Sequence, residues 1–312
     1  MANIFVYCQR KRVKIVKKQK KEIKKVYEEA LEEIRKEVNK LYGKDDVSSS
    51  MKKVYLNKLR DDISSEMNSV DSKTENIVKN NMSQMVEEVA KNTQMYASKI
   101  GINTIINGSN LKYRVVNNII SGKVYNNKFT LSSSIWGNNR KRLNEINGII
   151  AKGVLRNKGV YEIAKDLERY VNPNARKSYD WSRMFPGSRR KIDYNSQRLA
   201  RTMVSHAYQQ AFVEATINNP FISAYRWMTS GGDKVCALCI DRETNDQYGL
   251  GPGVFPKDSL PLDHPNGMCT FECVMSMSDY EIGEAIADWY LGEGDEQMNK
   301  SIDKYVKDLK NF

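Results

Sequence analysis

Cys236, Cys239, His264 and Cys269 have the side-chain types and spacing of a metal-ligand set. The chain contains five cysteines and two histidines, and the stretch from Trp227 to Cys273 holds four of the former and one of the latter. A Cys-x-x-Cys pair puts two sulfurs on one tight turn, so that both can face a single ion. Zinc takes four such ligands in a tetrahedron, with sulfur at about 2.3 Å and imidazole nitrogen at about 2.0–2.1 Å. The second pair is expected from His264 with Cys269 or Cys273, after a spacer carrying Gly249, Gly251, Pro252, Gly253, Pro256 and Pro261. That composition describes a turn-rich loop. Cys269 is preferred over Cys273, because one turn through Pro265 to Gly267 closes the gap from His264. On the expected return strand, Cys273 points to the face opposite Thr270. Two other readings of the cysteines stay open. A redox Cys-x-x-Cys wants a βαβ pattern around it, which this stretch lacks, and the thiols could be reduced bystanders in a small subdomain.

Other chemistries are harder to find. The chain has no G-x-x-x-x-G-K-[ST], G-x-S-x-G, H-E-x-x-H or G-x-G-x-x-G. A zinc deaminase needs Glu two residues after its histidine ligand and a Pro-Cys-x-x-Cys; here Pro265-Asn266 follows His264 and Val235 precedes Cys236. Asp263-His264-Pro265 beside a cysteine knuckle has a faint likeness to HNH nucleases, in which His264 would be a base and not a ligand. The later Asn and His of that pattern are missing after Gly267. His206 stands alone in its helix and is expected to be a packed helix residue.

The elements that must position these residues are mostly helical. Apolar residues at Ile23, Tyr27, Ala30, Ile34, Val38 and Leu41 step by three and four, extending an amphipathic helix that is read from Val13 and Val16. A second long helix is expected from about Ser48–Ser50 to Ile100. Its stripe reads Leu59, Ile63, Met67, Val70, Thr74, Val78, Met82, Met85 and Val89. The two suggest an antiparallel helical hairpin or an extended arm that packs on a partner or on the rest of the chain. Shorter helices are expected at Lys112–Ile120, across Asn139–Val171 with breaks at Gly153 and Gly159, and at Ser196–Asn218. A basic loop with Arg183, Arg189 and Arg190 precedes the last of these. Phe221 to Met228 reads as a strand delivering the chain to Cys236, Thr270 to Met275 as its return, and Ser278 with Glu281 as a capping box opening another helix.

The fold class expected is mainly α: a long N-terminal helical arm (1–110), a central helical domain (111–225), a small β/zinc-knuckle subdomain (226–275) and a C-terminal helical tail (276–312). No run of eighteen apolar residues occurs, so no membrane span or membrane partner is expected. The first residues place apolar character before charge, the reverse of a secretory signal. The thiols are therefore expected in a reducing compartment, which favours metal over disulfide. Formal net charge is +12, and the surplus is uneven. Between Arg10 and Lys25 ten basic residues face one acid, Glu22. Arg10, Lys11, Arg12, Lys14, Lys17, Lys18, Lys20 and Lys21 are candidate contacts to nucleic acid or to an acidic protein surface; the plainer reading is a solvated helix face.

From about Phe129 to Met275 the chain resembles the minor head protein (head morphogenesis, Mu F-like) family of tailed phages. Three blocks carry the resemblance. The first is Leu131-Ser132-x-x-Ile135-Trp136, followed by Gly153 and Ile163-Ala164-x-x-Leu167. The second is Arg198-x-x-Arg201-Thr202 heading a helix with Ala207 and Ala211, then Tyr225-x-Trp227. The third is Cys236-x-x-Cys239 with Pro261-x-x-His264-Pro265-Asn266-Gly267-x-Cys269 and Thr270-Phe271. Met203 stands where the family usually has Glu. Thr270-Phe271-Glu272-Cys273 replaces the arginine-flanked second cysteine of many members. The resemblance implies a low-copy virion component, located in the capsid interior or at the portal vertex and assembled in the host cytoplasm. It would act with the portal protein and other head proteins in head assembly and in DNA packaging or delivery, and would not be an enzyme. Its structural zinc would lie at Cys236, Cys239, His264 and Cys269, and DNA or scaffold would be met through the basic N-terminal segment. The competing expectations are a metal-dependent HNH-like nuclease and a zinc-stabilised DNA-binding module.

Overall fold

The computed structural model describes residues 4–125, 130–174, 192–229, 231 and 235–312. Phe129, the side chain of Trp136 and the basic loop with Arg183, Arg189 and Arg190 lie outside the described residues. Helix makes up 69% of the described residues, joined by one small sheet, as the sequence led us to expect. The helices are α1 (Ile4–Asn39), α2 (Ser49–Lys99), α3 (Ser109–Ile120), α4 (Leu131–Leu155), α5 (Val160–Val171), α6 (Tyr194–Thr216), α7 (Ala237–Thr244), α8 (Asp279–Leu291) and α9 (Glu296–Lys310). No described helix is long and apolar enough to cross a membrane.

The apolar period accounts for the long helices. All nine stripe positions of α2, from Leu59 to Val89, are buried, Thr74 included. In α1 the buried row continues backwards from Ile23 through Gln19, Ile15, Arg12 and Cys8, in steps of four, four, three and four. The helix therefore begins earlier than Val13, and two polar residues occupy core positions. Val13 and Val16 are only half-buried. The helices run antiparallel: Lys73 pairs with Glu29 at 3.7 Å, while Lys11 pairs with Glu88 at 3.0 Å.

Two compact units emerge, interleaved in sequence. The first comprises Met1–Val16, Lys79–Asn126 and Arg201–Phe312; the second comprises Lys17–Val78 and Asn127–Ala200. Long helices make this interleaving possible, since α1, α2 and α6 each contribute residues to both. In the second unit, Thr130 caps α4 by accepting the Ser133 amide at 3.0 Å. Its core encloses a polar network. Arg142 donates to both carboxylate oxygens of Asp71 at 2.5 Å and to the Tyr27 hydroxyl at 3.3 Å. Tyr27 meets Ser196 at 2.8 Å, and Tyr170 donates to Glu145 at 2.5 Å. Burial lifts the Asp71 carboxyl above its usual range, with Arg142 opposing the shift.

The sheet belongs to the first unit, in the order β2–β1–β3, antiparallel throughout. Its strands are β1 (Ile222–Met228), β2 (Val254–Pro256) and β3 (Thr270–Met275). The delivering and returning strands match expectation; β2, inside the turn-rich spacer, does not announce itself in three residues. Tyr225 faces Phe255 on one side and Cys273 on the other, and Trp227 faces Phe271. Phe271 stacks on Tyr208 of α6 with ring centroids 5.5 Å apart and lies 5.5 Å from Phe212 and 6.1 Å from Trp227. These rings bury the face of the sheet against α6, and truncating one such aromatic to Ala costs about 3–5 kcal/mol. The strand ends that lead to Cys236 and from Cys269 are thus anchored on a stiff base.

Candidate metal centre

Cys236 is the N-cap of α7, and the amides of Cys239 and Ile240 donate to its carbonyl at 3.0 and 3.1 Å. The first helical turn therefore carries Cys239 back beside Cys236. The Cys239 amide also holds the Cys236 thiol below its ordinary range, as expected at a helix N-terminus. Cys239 is buried, and burial raises its thiol. The spacer after α7 returns through Gly253, whose φ is +71° and where a Cβ would sit 2.6 Å from the Glu243 carbonyl oxygen. Only glycine fits that approach of loop to helix.

The other two candidate ligands, His264 and Cys269, sit on a loop held almost atom by atom. His264-Pro265-Asn266-Gly267 forms a β-turn closed by the Gly267 amide on the His264 carbonyl at 2.9 Å. Proline at its second position and Asn266, with φ +71°, at its third are what a type II turn asks for. The buried Asp263 carboxylate accepts the amides of His264 at 2.8 Å and Cys269 at 3.2 Å. A Cβ at Gly267 would stand 2.2 Å from Asp263 Oδ1.

Helix α6 supplies the back wall. Thr202, Ser205, His206 and Gln209 lie at i, i+3, i+4 and i+7, on one buried face of the helix. The Thr202 hydroxyl accepts the Asn266 amide at 2.8 Å, Ser205 donates to Gly267 O at 3.1 Å, and Gln209 donates to Pro261 O at 2.7 Å. His206 Nε2 bonds the Asp263 carbonyl and Nδ1 the Tyr125 hydroxyl, both at 2.9 Å. A carbonyl only accepts, so Nε2 carries the proton and Nδ1 receives that of Tyr125. Burial lowers the pKa of the ring and so favours its neutral form. His206 is the packed helix histidine the sequence suggested, with the added task of fixing the loop. Arg242, stacked on Trp227 at 4.9 Å, donates to Leu262 O at 3.1 Å.

Within this frame the donor atoms of Cys236, Cys239 and His264 lie within 4.8 Å of one another, and those of Cys239, Cys269 and Asp263 form a second such group. Cys239 is common to both. Cys236 Sγ is 3.3 Å from His264 Nε2. In a tetrahedral centre with the bond lengths above, donors stand roughly 3.5–3.8 Å apart, so the set is close to ligating geometry. His264 Nδ1 lies 3.0 Å from the Pro265 carbonyl. That nitrogen must therefore be the protonated one, which leaves the Nε2 lone pair facing the cysteine sulfur. A backbone acceptor that fixes the tautomer of a ligating histidine is the usual outer-shell arrangement. The Asp263 oxygens are already engaged by two amides, which makes this residue the organiser of the ligand loop. Cys236, Cys239, His264 and Cys269 are thus a group that could hold a metal ion. Cys273 sits apart from it, opposite Tyr225 in the sheet, where burial raises its thiol.

The basic segment divides. Arg10, Lys14, Lys17, Lys18, Lys20 and Lys21 are exposed on α1. Lys11 is tied to Glu88. Arg12 is buried and donates to the carbonyls of Met268 at 2.7 Å and Cys269 at 2.8 Å. This corrects the sequence reading of Arg12 as a surface contact: its guanidinium is enclosed by the protein and belongs to the ligand loop. The stepping of the α1 stripe back from Ile23 was the signal that could have found it. The polar row on α6 had a signal too, in Thr202, Ser205, His206 and Gln209 at helical spacing. Comparison with protein-family models, with curated proteins and with solved structures found no match to this chain.

Proposed function

We propose that this chain is a non-enzymatic structural protein of a tailed-phage head, with a subdomain stapled by zinc at Cys236, Cys239, His264 and Cys269. The observation that carries the reading is the closure of the ligand set. Four protein donors converge, and the histidine has its second nitrogen occupied by a backbone carbonyl. Three sulfurs and one imidazole suit zinc, and four protein ligands leave no open position at which a substrate or an activated water could bind. The same geometry speaks against an HNH-like base, since both nitrogens of His264 already have partners, in the Cys236 sulfur and the Pro265 carbonyl.

The head-protein assignment rests on the order and spacing of the three sequence blocks. In it the chain is a low-copy component working with portal and other head proteins in assembly and in DNA packaging or delivery. The exposed cations of α1, Arg10, Lys14, Lys17, Lys18, Lys20 and Lys21, are the proposed contact to DNA phosphates or to acidic scaffold. Elemental analysis of the purified full chain, paired with a nuclease assay in magnesium and manganese, tests the reading. About one zinc per chain and no cleavage is the expected result. An absence of zinc, or cleavage abolished by His264→Ala, would overturn it. Co-purification with portal protein from assembling heads tests the location.

A further inference from the structure

Arg12 is 1% exposed, yet the groups that receive its hydrogen bonds are two neutral carbonyls, Met268 O and Cys269 O. Its guanidinium lies over the Tyr208 ring at 4.6 Å, and its Nε has no hydrogen-bond partner among the described residues. Burying a full positive charge against carbonyls and a ring alone is costly. The ionisable groups whose fields reach it are Tyr208, Asp263, Cys269 and Cys8. Asp263 organises the ligand loop and Cys269 is a proposed ligand.

We propose that Arg12 is a positioning residue and counter-charge for the metal centre, through which the first turns of α1 dock on the loaded ligand loop. This rests on the zinc reading above. Three thiolates and a neutral imidazole around a divalent ion carry one net negative charge, and Asp263 adds another beside it. A cation enclosed at the carbonyl of the last ligand offsets part of that charge, in a place where water cannot. The same side chain fixes the exit of the loop: Met268 O receives both Arg12 and Gln9, the latter at 3.2 Å, and the Cys269 carbonyl is held by Arg12. Arginine suits this task because Nη2 donates to both carbonyls while the delocalised, always-charged guanidinium lies over the Tyr208 ring. Metal loading and the docking of residues 8–16 are therefore linked, each favouring the other.

The test uses the full chain. Zinc is titrated against a chromogenic chelator for wild type, Arg12→Met and Arg12→Lys, and the cobalt-substituted forms are compared by absorption. Wild type is expected to hold one zinc, and Arg12→Met to bind it about 10–100-fold more weakly, the range found for outer-shell partners. Its thiolate-to-cobalt charge-transfer band moves to longer wavelength, because loss of the nearby cation raises the sulfur electrons in energy. Arg12→Lys, which keeps the charge and loses the planar guanidinium over Tyr208, leaves the band in place and falls between the two in affinity. Zinc also slows amide exchange across residues 8–16 of wild type.

If wild type holds zinc and Arg12→Met binds it equally well with an unmoved band, the role of Arg12 is overturned while the zinc reading stands. If wild type holds none, both fall. Should Arg12→Met fail to fold, Arg12→Lys decides: weakened zinc binding supports the proposal, and unchanged binding refutes it.

Discussion

Two buried polar clusters in this protein solve the same problem in opposite ways. In the second unit Arg142, Asp71, Tyr27 and Ser196 bring positive and negative groups together inside the core. There the opposite charges are paired by protein atoms alone. In the first unit the buried arginine faces carbonyls, and the electron-rich donors, three sulfurs and an imidazole nitrogen, face one another. That arrangement could hold a cation. Charge buried near its opposite is a fold element, whereas sulfurs and an imidazole converging at near-ligating distances form a group that could hold a metal ion.

The sharpest way to break the comparison is to remove a ligand. Cys269→Ser is expected to lose stoichiometric zinc, and the loss of a structural ion worth about 10–16 kcal/mol of binding should unfold the ligand subdomain. Cys273→Ser keeps the metal. Elemental analysis with amide exchange over 222–275 checks this pair; the opposite pattern would reassign the fourth ligand.

The second unit is tested next. Arg142→Met leaves Asp71 buried without its partner and should cost about 3–5 kcal/mol, while Arg142→Met with Asp71→Leu recovers most of that loss. Denaturant melts measure both, and zinc content should stay at the wild-type level in each. A double variant no better than the single would show that the cluster contributes more than charge compensation.

The smallest effect concerns His206, which is neutral in the fold because burial lowers its pKa. The unfolded chain titrates near 6.5, so below that pH it binds a proton that the folded state resists. The stability due to neutral His206 is full above about 6.5 and is lost as pH falls from there towards the lower folded value. Thermal melts of wild type and His206→Gln should therefore differ most above pH 6.5 and converge on acidification. A gap independent of pH would place His206 outside this linkage.

Much of this was legible in the residues. The α2 stripe predicted its buried face position by position, because a 3.6-residue period leaves no freedom about which side meets the core. Ser278 and Glu281 form the capping box expected of them, and Thr270–Met275 is the return strand. These are local properties, fixed by neighbours within a few residues. The rarity of cysteine and histidine in the chain also made Cys236, Cys239, His264 and Cys269 visible before any coordinates.

Other features depend on residues far apart in sequence. Arg12 looks like one cation among ten until α1 is packed, and its partners lie at Met268 and Cys269, on a different element altogether. The row Thr202, Ser205, His206 and Gln209 reads as ordinary helix polarity until the loop from Pro261 to Gly267 is laid against it. The sequence already preferred Cys269 to Cys273, and the packing agrees: Cys269 lies beside Cys239, while Cys273 sits within β3 opposite Tyr225. Composition and period determine which elements form and which residues can ligate. Only the tertiary structure decides which charges are enclosed together, because burial and distance are set by the packing of segments that the sequence keeps apart.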